Sequence, residues 1–198
     1  MGHIICIMGR SASGKDTIYR MLMEENRFGF QKVIPYTTRP IRQGEKDGRE
    51  YHFCTEEQVK ALEEAGKIIE LRTYQTVAGP WHYFTAEDEQ FQTPADLLLI
   101  GTLESYQKLK EYFGEERLIP IFITLEKGEL LTRALSREKQ QKNPNYAEMC
   151  RRFLADEGDF SEENLQKAGI RKQFINDDLQ ETLAEINGYL EDILGKER

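Results

Sequence analysis

His3-Ile4-Ile5-Cys6-Ile7-Met8-Gly9-Arg10-Ser11-Ala12-Ser13-Gly14-Lys15-Asp16-Thr17 decides the fold. The apolar run 3–8 reads as a buried strand, and Thr17-Ile18-Tyr19-Arg20-Met21-Leu22-Met23 reads as the helix leaving it. Between them, Gly-x4-Gly-Lys has the spacing of a phosphate-binding loop. Successive backbone N–H groups curl round an anion, the helix start adds its positive end, and Lys15 reaches the outer phosphates. The regular pattern then places Ser or Thr after the lysine to hold Mg²⁺. Here Asp16 stands there, with Thr17 one step later. The plainer alternative, a Gly-rich turn between strand and helix, leaves Lys15 without a role. The ATP-site residues expected from this stretch are Gly9, Arg10, Ser11, Ala12, Ser13, Gly14, Lys15, Asp16 and Thr17.

At 198 residues, with 31% charged and 39% hydrophobic residues, the chain can bury a proper core beneath a polar surface. Its net charge of -8 argues against general binding of nucleic acid or anionic membranes. An acidic protein that handles anionic nucleotides must concentrate its arginines locally. Cys6, Cys54 and Cys150 are scattered, as are His3, His52 and His82, and no spacing suggests zinc. No signal-peptide pattern or membrane-length apolar run occurs, so a reduced, cytoplasmic setting is expected.

Working outward, the first helix runs over 14–26, and an extended piece covers Gln31 to Tyr36. Tyr51-His52-Phe53 alternates like a strand. Thr55 then reads as a helix N-cap, with Gln58 completing a capping box. Val59, Leu62 and Ala65 supply the apolar face of that helix and Gly66 its stop. Lys67–Thr73 is the next strand, followed by a Gly79-Pro80 turn and Trp81-His82-Tyr83-Phe84. Leu97–Ile100 and Leu118–Ile123 are further buried runs; Pro120 suits the start or edge of a strand. A helix over 106–113 stops at Gly114. Later come a helix over about 127–137, a polar stretch 138–145, one further helix, a strand Gln173–Ile175 and an amphipathic C-terminal helix. Apolar runs alternating with helices imply a parallel sheet with helices on both faces.

Thr37-Thr38-Arg39-Pro40-Ile41-Arg42-Gln43-Gly44-Glu45-Lys46-Asp47-Gly48-Arg49-Glu50-Tyr51-His52-Phe53 resembles the GMP-binding signature of the guanylate kinase family of nucleoside monophosphate kinases. The resemblance extends over most of the chain. Glu70 stands at the family's base-reading acidic position, and Tyr83-Phe84-Thr85 resembles its Tyr-Gly-Ser/Thr. Arg133 and Arg137 resemble the paired lid arginines, Arg152 the arginine after the lid, and Asn176-Asp177-Asp178-Leu179 the stretch before the last helix. The resemblance implies an α/β P-loop three-layer fold with a parallel central sheet, an inserted mixed α+β NMP-binding subdomain and a small lid. The expected division is a core of 1–34, 96–136 and 153–198, an NMP-binding subdomain of 35–95 and a lid of 137–152.

Arg39, Arg42, Glu45, Tyr51, Glu70, Tyr83 and Thr85 are the GMP-site candidates that follow. Forked guanidinium groups bind a dianionic phosphate better than ammonium groups do. A carboxylate at Glu70 can accept from guanine N1–H and the 2-amino group, which adenine cannot supply. Lys15, Arg133, Arg137 and Arg152 are the catalytic candidates, and Asn176 joins the ATP site. Arg133 and Arg137 lie four apart and project from one helix face. Ordinary surface pairs, Arg133 with Glu129 or Glu126 and Arg137 with Glu138, are the plainer alternative.

The activity implied is transfer of the γ-phosphoryl group of ATP to GMP or dGMP. Mg²⁺ would accompany ATP, held by Asp16 or Thr17, in a monomer or homodimer. Pro35, Thr102 and Phe84 depart from the family pattern, at a guanine-contacting Ser, an acidic residue and a Gly. They leave open a kinase of this fold with another acceptor nucleotide or phosphorylated metabolite. A non-catalytic guanylate-kinase-like binding module is the remaining alternative.

Overall fold

The computed structural model describes residues 2–76 and 79–195. The first strand, β1 (Ile4–Gly9), is buried at every position, as expected of a strand with both faces covered. It feeds α1 (Lys15–Glu25) through the phosphate-loop stretch. Then come β2 (Gln31–Lys32), β3 (Tyr36–Thr37), β4 (His52–Phe53), α2 (Glu56–Glu64), β5 (Ile68–Thr76) and β6 (Gly79–Ala86). The second half adds β7 (Leu97–Ile100), α3 (Leu103–Phe113), β8 (Leu118–Thr124), α4 (Lys127–Lys139), α5 (Tyr146–Asp159), α6 (Glu162–Ala168), β9 (Gln173–Ile175) and α7 (Leu179–Leu194).

A parallel central sheet runs β2-β7-β1-β8-β9, and a mixed four-stranded sheet runs β4-β3-β6-β5. The α/β class with a parallel central sheet is therefore the observed one. Pro120 is the third residue of β8, and β9 pairs only with Phe122–Thr124. The missing N–H of the proline thus falls before the stretch that β9 flanks.

The chain divides into two compact units. One comprises Arg27–Leu99 and Glu104–Ile119 with the first residues of β1; the other comprises Cys6–Asn26, Ile100–Leu103 and the chain from Pro120 onward. In the first unit, β5 and β6 form a long antiparallel pair, and β3 joins β6 antiparallel and β4 parallel. Val59 of α2 packs with Phe84 and Ala86 of β6, and Tyr36, Cys54, Leu62, Ile68 and Leu71 close round them. The capping box at Thr55 is present: its hydroxyl accepts from Gln58 N–H, and the Gln58 side chain accepts from Thr55 N–H at 2.8 Å. Ala65, expected on the apolar face, is exposed and forms the C-cap.

In the second unit, α7 buries Leu183, Ile186, Leu190 and Leu194, a stripe at three- and four-residue spacing. Each such side chain contributes about 1.5–3 kcal/mol through removal from water. Asp178 caps this helix by accepting from the N–H groups of Gln180 and Glu181.

Three local expectations are corrected. Gly79 and Pro80 are the first residues of β6, paired with Gln75 and Thr76 of β5, and do not form a turn. Val77 and Ala78 lie outside the described residues. Helix α4 runs two residues past 137, to Lys139. The single helix expected after the polar stretch is two, because Ser161 caps a separate α6 after α5 has ended at Phe160.

Candidate active site

In the second unit, the loop between β1 and α1 is built by two left-handed residues, Ala12 at φ 67° and Gly14 at φ 90°. Such a conformation turns successive N–H groups toward one side, as an anion-binding nest requires. At Gly14 it suits glycine; at Ala12, a residue with a Cβ carries it. Ser13 N–H donates to the Arg10 carbonyl at 3.1 Å, closing the loop, and Ser13 itself is fully buried. Asn176, the residue after β9, fixes the loop: its Nδ2 donates to the Ser13 carbonyl at 2.7 Å. A Cβ on Gly14 would come within 2.2 Å of that same nitrogen. Gly9 is equally constrained, since a Cβ there would lie 2.3 Å from the Ile123 carbonyl.

Lys15 and Asp16 open α1, with Lys15 Nζ 3.5 Å from an Asp16 carboxylate oxygen. The Asp16 side chain is 75% exposed. A carboxylate in that position fits Mg²⁺, which takes one or two protein oxygens and completes its shell with phosphate and water. Thr17, one residue on, offers a hydroxyl.

The arginines separate by role. Arg133 Nη2 donates to the Asn176 carbonyl at 3.0 Å, so it is tied to the residue that holds the loop. Arg137 and Arg152 line one cavity of about 200 Å³ with Ser11, Glu138, Asn145 and Phe153. Arg137 is exposed and has no ion pair among the described residues. Arg152 Nε is held by Glu148 at 2.9 Å, and Arg151 forks onto the same carboxylate. Those bonds from Arg151 and Arg152 hold the Glu148 carboxyl down at about 2. The surface pairs of the plainer alternative, Arg133 with Glu126 or Glu129 and Arg137 with Glu138, are not formed among the described residues. Glu138 is instead buried: it accepts from Asn145 N–H and from Gln141 Nε2. It thereby ties the end of α4 to the cap of α5 across the polar stretch.

In the first unit, Arg39 is 4% exposed and its guanidinium forks onto Glu45 at 2.8 and 2.6 Å. Glu45 also accepts from Arg42 N–H at 2.8 Å, so one carboxylate holds the loop 39–45. The Arg39 fork and the Arg42 N–H bring the Glu45 carboxyl down to about 2. The Arg39 guanidinium lies over the rings of Tyr51 and Phe53, at 5.1 and 5.4 Å, and Tyr51 meets Tyr83 edge-on. The Arg42 side chain is exposed.

Glu70 and Thr85 face each other in register across β5 and β6, and Thr85 Oγ1 donates to Glu70 Oε1 at 2.9 Å. The structure thus places Arg39, Glu45, Tyr51 and Tyr83 in one cluster and Glu70 with Thr85 beside the same strand pair. Burial drives the Tyr51 hydroxyl pKa up, so it stays protonated and able to donate.

A family model described as guanylate kinase matches residues 1–193. The chain belongs to the guanylate kinase family. A guanylate kinase of Cupriavidus pinatubonensis is 28% identical over 183 residues, covering 91% of this chain and 80% of the relative. One from Anaplasma phagocytophilum is 26% identical, covering 96% and 86%. The crystal structure of guanylate kinase from Anaplasma phagocytophilum superimposes with a TM-score of 0.66 at 23% identity, over 96% of this chain and 85% of that one, which establishes the shared fold.

Several residues of this guanylate kinase family member escape a sequence reading. Asp156 of α5 accepts from Ser11 N–H at 2.5 Å, a carboxylate oxygen on an amide of the phosphate loop. Arg10, expected in the ATP site, turns its guanidinium to Thr124, the Phe160 carbonyl and Glu157. Its contribution to the loop is therefore through the backbone. Arg72 pairs with Glu70, and this pairing carries no motif. Burial acts to lower the Arg72 pKa, but the charge and hydrogen bonds of Glu70 outweigh it and the guanidinium is held charged. Asp156, Glu157 and Arg72 stand outside the signature stretches. Only an alternation argument on β5, which puts 70 and 72 on one face, could have paired Arg72 with Glu70.

Proposed function

We propose that this chain is an ATP-dependent nucleoside monophosphate kinase that transfers the γ-phosphoryl group of ATP to GMP or dGMP, giving ADP and GDP or dGDP. The observation that carries this reading is the loop Gly9–Thr17, curved by left-handed Ala12 and Gly14, with Ser11 sharing a cavity with Arg137 and Arg152. Family membership names the acceptor. Phosphoryl transfer asks the protein for positioning and charge stabilisation and little covalent chemistry.

The backbone N–H groups of the loop hold the β-phosphate, and Lys15 reaches the β- and γ-oxygens. Asp16 or Thr17 would hold Mg²⁺, which neutralises phosphate charge when bound with ATP. Arg137 and Arg152 stabilise the charge on the transferring group, and Arg133 positions the loop through Asn176. On the acceptor side, Arg39 and Arg42 bind the dianionic monophosphate with the hydroxyls of Tyr51 and Tyr83. Glu45 holds Arg39 and Arg42 in place, and Glu70 with Thr85 reads the base. In this reading, residues 35–95 form the NMP-binding subdomain, 137–152 the lid, and the remainder the core. Among the described residues no helix is long and apolar enough to cross a membrane.

Thermal shift tests the two sites separately. ATP with Mg²⁺ raises the melting temperature of the native protein and loses that effect in Lys15→Met. GMP raises it in both, and loses it in Arg39→Met. No shift with either nucleotide refutes the reading and leaves the binding-module alternative.

A further inference from the structure

Glu70 is the carboxylate at the candidate base-reading position, and its side chain is 2% exposed. An ionised carboxylate has about four lone-pair sites. Three are occupied. Arg72 Nε donates to Oε2 at 2.9 Å, Arg72 Nη2 to Oε1 at 3.3 Å, and Thr85 Oγ1 to Oε1 at 2.9 Å. One site remains, on Oε2. Arg72 has five N–H donors, of which Nε and one on Nη2 are taken by Glu70, so three remain on the Nη end of a guanidinium that is clamped to the carboxylate. The Arg72 side chain is 19% exposed, so its guanidinium is largely shielded from bulk water.

Guanine presents three groups in a row on the edge in question: the O6 acceptor, the N1–H donor and the 2-amino donor. A free carboxylate accepts from the last two. A carboxylate with one lone pair left accepts from a single N–H, and the guanidinium beside it donates to a carbonyl. Resting on the kinase reading above, we infer that Arg72 is a specificity-determining residue. Paired with Glu70, it makes the site read the carbonyl and N1–H of a 6-oxopurine and ignore the 2-amino group. The acceptor class is then 6-oxopurine nucleoside monophosphates, with IMP taken as readily as GMP.

The GMP-to-IMP ratio of kcat/KM, measured by coupled ADP release, is the test. These two acceptors differ only in the 2-amino group, and a ratio is indifferent to the fraction of protein folded. The wild-type ratio is expected within about threefold of one. Removal of the fork in Arg72→Ala frees Glu70 Oε1 and Oε2 for the amino group. A hydrogen bond to a charged acceptor then raises the ratio by roughly tenfold or more. Arg72→Gln keeps one bond to Glu70 and raises it less, which secures the comparison if the alanine variant is unstable. A wild-type ratio above about threefold, or a ratio that moves by less than about threefold in both variants, overturns the inference and leaves the kinase reading standing. No turnover with any monophosphate overturns both.

Discussion

Gly14→Ala probes the phosphate loop at its tightest point. Gly14 sits at φ 90°, and a Cβ would meet Asn176 Nδ2 at 2.2 Å. The left-handed conformation costs an L-residue about 1–2 kcal/mol. Displacing the Asn176 amide leaves the Ser13 carbonyl without its 2.7 Å bond, in a region where Ser13 and Asn176 are both buried, for about 1–3 kcal/mol more. The stiffer unfolded chain returns about 0.4–1 kcal/mol, so the net loss is roughly 1–5 kcal/mol. Urea unfolding of the native protein, Gly14→Ala, Asn176→Ala and the double variant separates the terms. With Asn176 truncated, Gly14→Ala should cost only the backbone strain less that return, at most about 1.5 kcal/mol, so the two substitutions couple by at least about 1 kcal/mol. Arg133 is held by the same Asn176 through its carbonyl, so ATP affinity should fall with stability. A loss below about 0.5 kcal/mol, or full additivity in the cycle, refutes the claim that Asn176 holds the loop.

Two further predictions follow from local geometry. Thr55→Ala removes one half of a complete capping box and should cost about 1 kcal/mol in urea unfolding, whereas Thr55→Ser should cost little. The Glu45 carboxyl is lowered in the folded state from 4.5 to about 2, so its contribution is complete above pH 4.5 and is lost as pH falls from there toward 2. Acid titration followed by circular dichroism should show a smaller loss over this range in Glu45→Gln than in the native protein, the remainder coming from groups such as Glu148 that titrate in the same window. That variant should also raise the KM for GMP at neutral pH and leave the KM for ATP unchanged.

What the sequence made legible was whatever local chemistry determines. The buried runs at 4–8, 97–99 and 121–123 are strands because an uninterrupted apolar stretch has no other use in a protein of alternating helices. Thr55 with Gln58 marks a helix start through two reciprocal bonds, and Gly66 its stop at φ 64°. Where long-range pairing decides the outcome, local signals mislead. Gly79-Pro80 looks like a turn, but pairing with β5 carries the strand through both residues. Ser161 is a good N-cap in a polar context, yet the break it makes between α5 and α6 was not separable from one continuous helix.

The site followed the same rule. Gly9–Thr17 and Thr37–Phe53 are contiguous, so their chemistry is spelled in order. Asp156 reaches Ser11 from 145 residues away and leaves no local signal. Glu138 sits next to Arg137 in sequence and reads as its partner, but helix geometry turns it inward to Asn145. Arg72 is two residues from Glu70 and still escapes, because its meaning depends on how many lone pairs it occupies.

The most direct test of the central claim is a product balance. Native protein with ATP, Mg²⁺ and GMP, resolved by anion-exchange chromatography, should yield one GDP for each ADP, and Lys15→Met should yield neither. ADP formed without matching GDP would make the chain a nucleotide hydrolase, and an absence of both products would make it a binding protein; either result contradicts the account.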